Sequence, residues 1–351
     1  MEGDDGLSDG FEYSAREARR VTRKETGIVI PVYLPAGNEH ELQLELLLDN
    51  VEACLGVVED PSQVCLTADG ADCGGPEVED LSRRFGVTAT VGDCNRGKLS
   101  ALRCGVERMT ESPLSWLAVI DADGDHFANE LINLTRAALA AHARFAADQV
   151  LVIGRRASRH RPMGMLRGEL EELADRILLD ALNYAAAVSG KPLPLQGTTS
   201  LEEFPDFHSG FKLFSRSAAE AVFLREPDLC DVSEDAYFRH GCEAVMTVEA
   251  VLAGAQLVSV QRSTFNEQPV STFGQLQRER LVADKMIWPC RRLGVPPCFV
   301  EQWLRNHVPR LLLTTLAPQG KQELLTICNL MAEAYQLPPF TQDLMDGPLF
   351  V

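Results

Sequence analysis

The stretch WLAVIDADGDH, residues 116–126, joins an apolar run to a cluster of aspartates. Residues 116–120 are all apolar, which is typical of a strand covered on both faces of a parallel sheet. Asp121, Asp123 and Asp125 follow this run directly. Three like charges at one place repel each other unless a cation or another counter-charge compensates them. We therefore predict a buried strand that ends in a ligand site.

Four other short apolar runs extend this pattern in both directions. They are GIVIPVY (27–33), QVCLTAD (63–69), VTATVGD (87–93) and QVLVIG (149–154). Amphipathic segments lie between them, among them residues 39–55 and 98–109. Strands that alternate with helices predict an α/β fold with a mostly parallel sheet flanked by helices. In such a sheet, ligands bind at the carboxyl ends of the strands, which is where the aspartates lie.

Composition and charge narrow the classes of partner. The chain has 351 residues, 45% of them hydrophobic, and a net charge of -18, as in an ordinary globular protein. This negative charge argues against binding to nucleic acid and against general adhesion to anionic membranes. No apolar run approaches the roughly 18 residues of a membrane span. We expect a cytoplasmic protein without an integral membrane segment.

The spacing of Asp121 and Asp123 suggests a metal site. Two carboxylates at positions i and i+2 of a strand end can both reach one hard cation, and Mg²⁺ and Mn²⁺ prefer such oxygen ligands together with substrate phosphates. The alternative is a solvated acidic turn that caps the next helix. Both readings stay open at this point.

Several motifs resemble those of one enzyme family. GIVIPVYLPAGNE (27–39), VCLTADGADCGG (64–75), GDCNRGKLSALRCGVER (92–108) and AVIDADGDH (118–126) resemble, in order, the motifs of family 2 glycosyltransferases with the GT-A fold. PDFHSGFKLFSR (205–216) and VIGRRASRHRP (152–162) resemble segments of the polyprenyl-phosphate glycosyltransferase group within it. The resemblance implies a Rossmann-like nucleotide-diphospho-sugar transferase, which moves a sugar from a UDP- or GDP-linked donor with the help of Mg²⁺ or Mn²⁺.

The resemblance also implies roles for individual residues. Asp125 stands where the group usually carries Gln, and would be a third metal ligand beside Asp121 and Asp123. Asp69 could accept an N–H of the nucleotide base, although an Asx turn is its alternative. The donor-binding set implied in this way is Pro31, Val32, Glu39, Asp69, Lys98, Asp121, Ala122 and Asp123.

A second set of residues is expected on the acceptor side. Arg155 and Arg156 belong to a basic stretch that could meet phosphate, or be a solvated loop. Asp206 and His208 are expected to face the sugar or the metal, and Lys212 could be structural instead. The acceptor itself is unknown, and is anionic, phosphorylated or a hydroxyl compound.

The segment CDVSEDAYFRHG, residues 230–241, contains the candidate base. It resembles the E-D motif of inverting family 2 enzymes, in which Asp235 would deprotonate the acceptor hydroxyl with support from Glu234. The alternative is helix capping that starts at Ser233. An acceptor that is already an ionised phosphate needs no strong base.

These assignments predict a domain layout. Residues 1–26 are expected to be a disordered acidic leader and 27–265 a GT-A domain. Residues 27–154 would be its nucleotide-binding half and 155–265 its acceptor half, with a helical insertion at about 165–204. Residues 266–351 would form a helical extension, and a homodimer is left open.

Two other functions remain open. A sugar-phosphate nucleotidyltransferase shares the strand order and metal carboxylates, but its G-x-G-T-R-type opening is replaced here by PVYLPAGNE. A sugar-nucleotide-binding protein without catalysis is the other alternative.

Overall fold

The computed structural model describes residues 6–198, 204–265, 277–313 and 320–345, with the backbone alone for residues 6–14. Its centre is a seven-stranded sheet of order β3-β2-β1-β4-β6-β5-β7. Only β6 runs antiparallel to its neighbours, so the predicted α/β fold with a mostly parallel sheet is confirmed. The strands are β1 (Thr26–Val32), β2 (Val64–Ala68), β3 (Thr88–Val91), β4 (Trp116–Val119), β5 (Val150–Arg156), β6 (Lys212–Ser215) and β7 (Gln256–Arg262).

The register of the strands brings the carboxyl ends of β1, β2 and β4 to the same level. Ile28 of β1 lies beside Val64 of β2 on one side and beside Ala118 of β4 on the other. These parallel strands therefore end at the same edge of the sheet. Because β6 is antiparallel to β4, with Lys212 paired to Val119, the residues that precede β6 reach this edge as well. The register, continued by two residues, sets Gly210 opposite Asp121.

Helices cover both faces of the sheet. One face packs against α2, α3 and α5, with Val51, Leu81 and Leu134 buried there. The other packs against α4, α6, α7 and α8. The helices are α1 (Gly6–Glu25), α2 (His40–Leu55), α3 (Gly75–Phe85), α4 (Lys98–Thr110), α5 (Leu131–Phe145), α6 (His160–Ser189), α7 (Arg216–Phe223), α8 (Cys242–Leu252), α9 (Arg278–Arg292), α10 (Pro297–His307) and α11 (Gly320–Ala334), with a π-helix at Asp235–His240.

Most of the segment in which a helical insertion was expected, about 165–204, lies in α6, which begins earlier, at His160, and has a break at Gly164. Helices α9, α10 and α11 bear out the prediction of a helical C-terminal region in the part of it that the structure describes. Their apolar side chains, such as the fully buried Trp288, share one core with Leu173 of α6 and Leu102 of α4. The C-terminal helices thus pack directly on the domain. Among the described residues, no helix combines the length and apolarity needed to cross a membrane.

The N-terminal region corrects one prediction. Residues 6–25 form α1, so the disordered leader predicted for 1–26 is wrong for this part, and β1 already begins at Thr26. Ala18 and Val21 are buried, and Thr22 Oγ1 lies 2.9 Å from Thr135 Oγ1 of α5. The acidic start of the chain hid this helix. Residues 1–5 are outside the described residues.

We predict that Val21→Asp lowers the free energy of unfolding by about 2–4 kcal/mol, because it places an unpaired carboxylate in an apolar contact. Val21 is 2% exposed, whereas Arg19 on the same helix is exposed, so Arg19→Ala is the matched control and should change stability by less than about 0.5 kcal/mol. Urea denaturation followed by circular dichroism measures both. Equal stability of the two variants would show that α1 is not docked.

Candidate active site

A pocket of about 340 Å³ opens at the carboxyl ends of β1, β2 and β4. Its volume suits a small-molecule site. Most of the side chains expected to bind a ligand line it, whereas Glu39 is exposed at the start of α2 and Arg155 is not among the lining residues. The predicted residues that the pocket brings together are Pro31, Val32, Asp69, Lys98, Asp121, Ala122, Asp123, Asp125, Arg156 and His208.

Lys98 is at the centre of the charged part of the pocket. Its Nζ lies 2.7 Å from Asp121 Oδ1 and 2.8 Å from Glu243 Oε1. These two contacts join the start of α4 to the end of β4 and to the start of α8. Burial works against the charge, but the carboxylates of Asp121 and Glu243 outweigh it and hold the pKa of Lys98 well above its ordinary value. Burial likewise opposes ionisation of Glu243, yet Lys98 and Lys285 lower its pKa to about 2. Lys98 and Glu243 are therefore both ionised at neutral pH.

The two carboxylates that end β4 fit a hard divalent cation. Asp121 Oδ1 is buried, and within the described residues its charge is met by the Lys98 ammonium. Asp123 follows in the same turn, where its Oδ1 accepts a hydrogen bond from the Asp125 amide at 3.1 Å. Carboxylate oxygens are the ligands that Mg²⁺ and Mn²⁺ prefer, so the two side chains fit such an ion.

Asp125 has a different environment from the one predicted. Its Oδ2 lies 3.0 Å from Arg262 Nη1, and its Oδ1 accepts the Phe265 amide at 2.9 Å. Asp125 is buried, and Arg262 of β7 supplies its counter-charge. These contacts do not support the predicted role of a third metal ligand. They give Asp125 a structural task, which is to attach the end of β7 to the turn after β4.

Gly210 leaves room for the Asp121 carboxylate. A Cβ atom at this position would lie 2.5 Å from Asp121 Oδ2 and 3.1 Å from Lys98 Nζ. The antiparallel register of β4 and β6 causes this close approach. Any side chain here would push Asp121 out of place.

We predict that Gly210→Ala lowers the free energy of unfolding by about 1–3 kcal/mol through overpacking. Displacement of Asp121 should also weaken Mn²⁺ binding by roughly tenfold or more. The control is Gly37→Ala, because a Cβ at Gly37 meets nothing within 4 Å. Denaturation curves and Mn²⁺ titration by calorimetry check the pair. Unchanged Mn²⁺ binding in Gly210→Ala would contradict the role of Asp121.

Asp69 holds the loop in front of α4. Its carboxylate accepts the amides of Arg96 at 3.1 Å and Gly97 at 2.8 Å. Burial raises the pKa of Asp69, and these amides and nearby arginines only partly offset the rise. Gly97 begins the helix at φ 123°, with no room for a Cβ because Phe238 O would lie 2.6 Å away. The contacts favour a positioning role, and base recognition by Asp69 stays a prediction.

Arg156 and Asp206 form a buried ion pair beneath the pocket. The Arg156 amide and Nε each lie 2.9 Å from Asp206 Oδ2, and its Nη2 lies 2.8 Å from Glu171 Oε2. Lys285 of α9 also lies 3.4 Å from Glu171 Oε1. The arrangement ties β5 to α6 and α9. Asp206 thus faces Arg156 instead of the sugar or metal that was expected.

The ammonium group of Lys212 is buried and is bound by backbone carbonyl groups. Its Nζ donates to the carbonyl of Phe207 at 2.9 Å and to the carbonyl of Ser209, and the side chain is fully buried. Burial lowers the pKa of Lys212 from its ordinary value of 10.5 to about 8. Lys212 is not among the residues that line the pocket, which favours the structural alternative.

We predict a pH-dependent stability from Lys212. Between pH 8 and 10.5 the unfolded chain keeps the Lys212 proton that the folded chain has released. The unfolded state then binds more protons, so the stability of the wild type relative to Lys212→Met rises with pH across this window and is constant below it. Urea denaturation at several pH values measures the difference. Lys321→Met, at an exposed position, should show no such rise. If the difference in stability between the wild type and Lys212→Met does not change with pH, the lowered pKa of Lys212 is refuted.

Glu234 and Asp235, predicted as catalytic, are not among the residues that line the pocket. Glu234 Oε1 lies 3.0 Å from Arg96 Nη2, and Asp235 Oδ1 lies 3.2 Å from Arg239 Nε, with 66% of the Asp235 side chain exposed. This arrangement does not support Asp235 as the base, which remains a prediction. His240, at the other end of the same π-helix, does line the pocket.

Sequence reasoning missed four lining residues that come from distant parts of the chain. They lie on helices, where a polar residue is ordinarily read as surface. The one available signal was a charged or imidazole side chain inside an otherwise apolar stretch, as in CEAVMTVEA, residues 242–250. The four residues are Glu171, His240, Glu243 and Lys285.

The fold and the pocket define an α/β protein with a ligand site at the carboxyl edge of its sheet. No protein-family model matches the chain, and no curated protein is similar to it in sequence. Among solved structures, S. aureus TarS 1–349 is 11% identical, with 89% of this chain and 90% of that chain covered and a TM-score of 0.39. The mannosyltransferase PcManGT from Pyrobaculum calidifontis, in complex with GDP-Man and Mn²⁺, is 15% identical, with 96% and 86% covered and a TM-score of 0.47. At these values, neither similarity says what this chain does.

Proposed function

We propose that the protein is a metal-dependent glycosyltransferase of the GT-A type, which moves a sugar from a nucleoside diphosphate sugar to an acceptor. One observation carries the proposal: the ends of β1, β2 and β4 deliver their predicted donor-binding residues into one pocket, with the Asp121 carboxylate facing Lys98 at 2.7 Å. This combination suits an anionic ligand that arrives with a divalent cation.

The pocket changes in character along its length as such a donor would require. Pro31 and Val32 give it a neutral end, suited to a nucleoside. Asp121, Asp123 and Lys98 give it a charged centre, suited to a diphosphate and its cation. Its remaining lining is polar, includes His240, and could receive a sugar and an acceptor.

The residues that would hold Mg²⁺ or Mn²⁺ are Asp121 and Asp123. When bound, the ion would neutralise charge that develops on the departing diphosphate. Lys98 contributes a permanent positive charge beside them. Helix α4 begins at Lys98 without a side-chain cap, so its positive end also favours a phosphate at this place.

On the acceptor side of the proposed site, Arg156 and His240 line the pocket. The carboxylates of Asp206 and Glu171 hold the Arg156 guanidinium and compensate its charge, so Arg156 is a fixed part of the wall more than a mobile phosphate ligand. The donor base, UDP or GDP, is left for the experiment below.

We predict that UDP or GDP with Mn²⁺ raises the melting temperature of the wild type. Binding to the folded state alone contributes about 2.7 kcal/mol at a ligand concentration of 100 Kd. Asp121→Asn and Asp123→Asn should lose the Mn²⁺-dependent part, since a neutral amide is a poor ligand for a hard cation. Thermal-shift measurements with and without Mn²⁺ test this.

The control is Asp80→Asn, because Asp80 is an exposed residue of α3 that pairs with Arg83 at 3.2 Å. This variant should keep the full thermal shift. If neither nucleotide stabilises the wild type in either condition, the proposed function is wrong. If Asp121→Asn responds to Mn²⁺ like the wild type, the metal assignment is wrong.

A further inference from the structure

Three histidines line the pocket, and their hydrogen bonds indicate which ring nitrogen carries the proton in each. His126 Nδ1 accepts the backbone N–H of Asp121 at 2.9 Å. A neutral imidazole carries one proton, so the proton of His126 is on Nε2. Burial and the charge of Arg262 hold the pKa of His126 well below its ordinary value. His126 is therefore a neutral donor and has no nitrogen left to accept a proton.

His208 carries its proton on the other nitrogen, Nδ1, but a substrate cannot reach its ring. Its Nδ1 lies 2.8 Å from Asp175 Oδ1, so the carboxylate keeps the proton on Nδ1. The side chain, however, is fully enclosed, and that of Asp175 is as well. No substrate atom reaches His208 Nε2 in this arrangement.

His240 has its proton on Nδ1, as a base that acts through Nε2 requires, and it can be reached from the pocket. Its Nδ1 lies 2.7 Å from Asp284 Oδ2 of α9, and Asp284 is itself buried and paired with Arg280 at 2.9 Å. The His240 side chain is 12% exposed, and its Nε2 has no hydrogen-bond partner among the described residues. The ring thus presents Nε2, the nitrogen that Asp284 does not engage, from the wall of the pocket.

The π-helix at Asp235–His240 explains how this ring comes to face inward. Gly241 N donates to Ala236 O at 2.9 Å, a bond that spans five residues and widens the turn. Tyr237 packs edge-on against Trp288 of α9, which fixes the helix beside Asp284. π-helical turns occur often at functional sites. Here the turn sets His240 in the pocket wall, while Asp235 is exposed to solvent.

We propose that the His240–Asp284 pair removes the proton from a hydroxyl group of the acceptor, and that the acceptor is therefore a hydroxyl compound. This inference rests on the proposed function. The acceptor O–H gives its proton to His240 Nε2, and its oxygen forms the new bond to the anomeric carbon. The bond from that carbon to the diphosphate oxygen breaks, and its electron pair leaves with the nucleoside diphosphate. Asp284 stabilises the imidazolium that forms.

We infer a hydroxyl acceptor because only an acceptor that must lose a proton needs a base. An ionised phosphate acceptor attacks without giving up a proton, so a buried, oriented Asp–His pair would have no task in that reaction. The charged groups that share the pocket with His240 come from every helix around it and are of both signs. On the helices they are Lys98 of α4, Arg167 and Glu171 of α6, Arg239 of the π-helix, Glu243 of α8 and Lys285 of α9. The strands and the turns after them add Arg156, Arg262, Asp69, Asp121, Asp123 and Asp125.

The first experiment measures the release of UDP or GDP from UDP-glucose and GDP-mannose with Mn²⁺, using water and glycerol as hydroxyl acceptors. His240→Gln should release nucleotide at least about 100-fold more slowly than the wild type, and should lose the fall in rate on the acidic side of the pH profile. Nucleotide binding with Mn²⁺ should be unchanged. The matched control is His307→Gln, because His307 pairs with Asp180 at 2.6 Å and is 14% exposed but is not among the pocket-lining residues.

The second experiment does not depend on activity. ¹⁵N NMR of the histidine rings, with the His240 signal assigned by its absence in His240→Gln, should show the proton on Nδ1 in the wild type. Asp284→Asn should shift the proton towards Nε2 and displace the pH profile of nucleotide release, because Asp284 is a positioning residue. A merely structural role would alter neither the tautomer nor the pH profile.

The outcomes separate the two proposals. A wild type that releases nucleotide while His240→Gln does so at the same rate and with the same pH profile overturns the base, and leaves the glycosyltransferase standing. A proton on Nε2 in the wild type also overturns it. A wild type that binds no nucleotide and releases none from either donor overturns the proposed function, and the base with it.

Discussion

The ion pair between Lys98 and Asp121 is the contact on which the pocket depends, because it joins the start of α4 to the end of β4. Glu243 extends the pair to α8, 2.8 Å from the same Nζ. Charges removed from water are costly unless they are matched, and removal of one partner from such a group costs about 3–5 kcal/mol. The strand-end carboxylate that would face a metal is thus held by the protein before any ligand arrives. Gly210 completes the constraint, since the antiparallel β6 brings its backbone against Asp121.

Charge is distributed unevenly between the pocket and the rest of the molecule. The chain carries a net -18, yet six cationic side chains and six carboxylates line the pocket. Most of these pair with each other across distant elements, as Glu171 does with Arg156 and Lys285. A pocket that is neutral as a whole in a negative protein can accept an anionic ligand together with one cation. The pairing also fixes β5, α6 and α9 relative to each other.

How much the sequence predicted depends on the range of the contacts involved. Strands β1 to β5 were predictable because each is a continuous apolar run, and Asp121 and Asp123 because they directly follow one. The residues that complete the pocket were not predictable, because their partners are far away in the sequence. Glu243 and Lys98 are 145 residues apart, and His240 and Asp284 are 44 residues apart. A local motif suggested Asp235, but the π-helix, which no local pattern predicts, leaves Asp235 exposed and sets His240 in the wall of the pocket. The acidic composition of the first residues likewise concealed α1.

The charge balance of the proposed reaction explains why an imidazole suits this position better than a carboxylate. Asp121, Asp123 and Glu243 already place negative charge in the pocket, and a further carboxylate would repel a diphosphate donor. An imidazole that acts as a base carries no charge before it takes the proton, so it does not repel the donor while the donor binds. When the glycosidic bond to the diphosphate breaks, negative charge grows on the leaving group as His240 becomes positive, so the two charges develop together and attract each other. Asp284, buried at 2.7 Å from His240, stabilises the cation from the side away from the substrate.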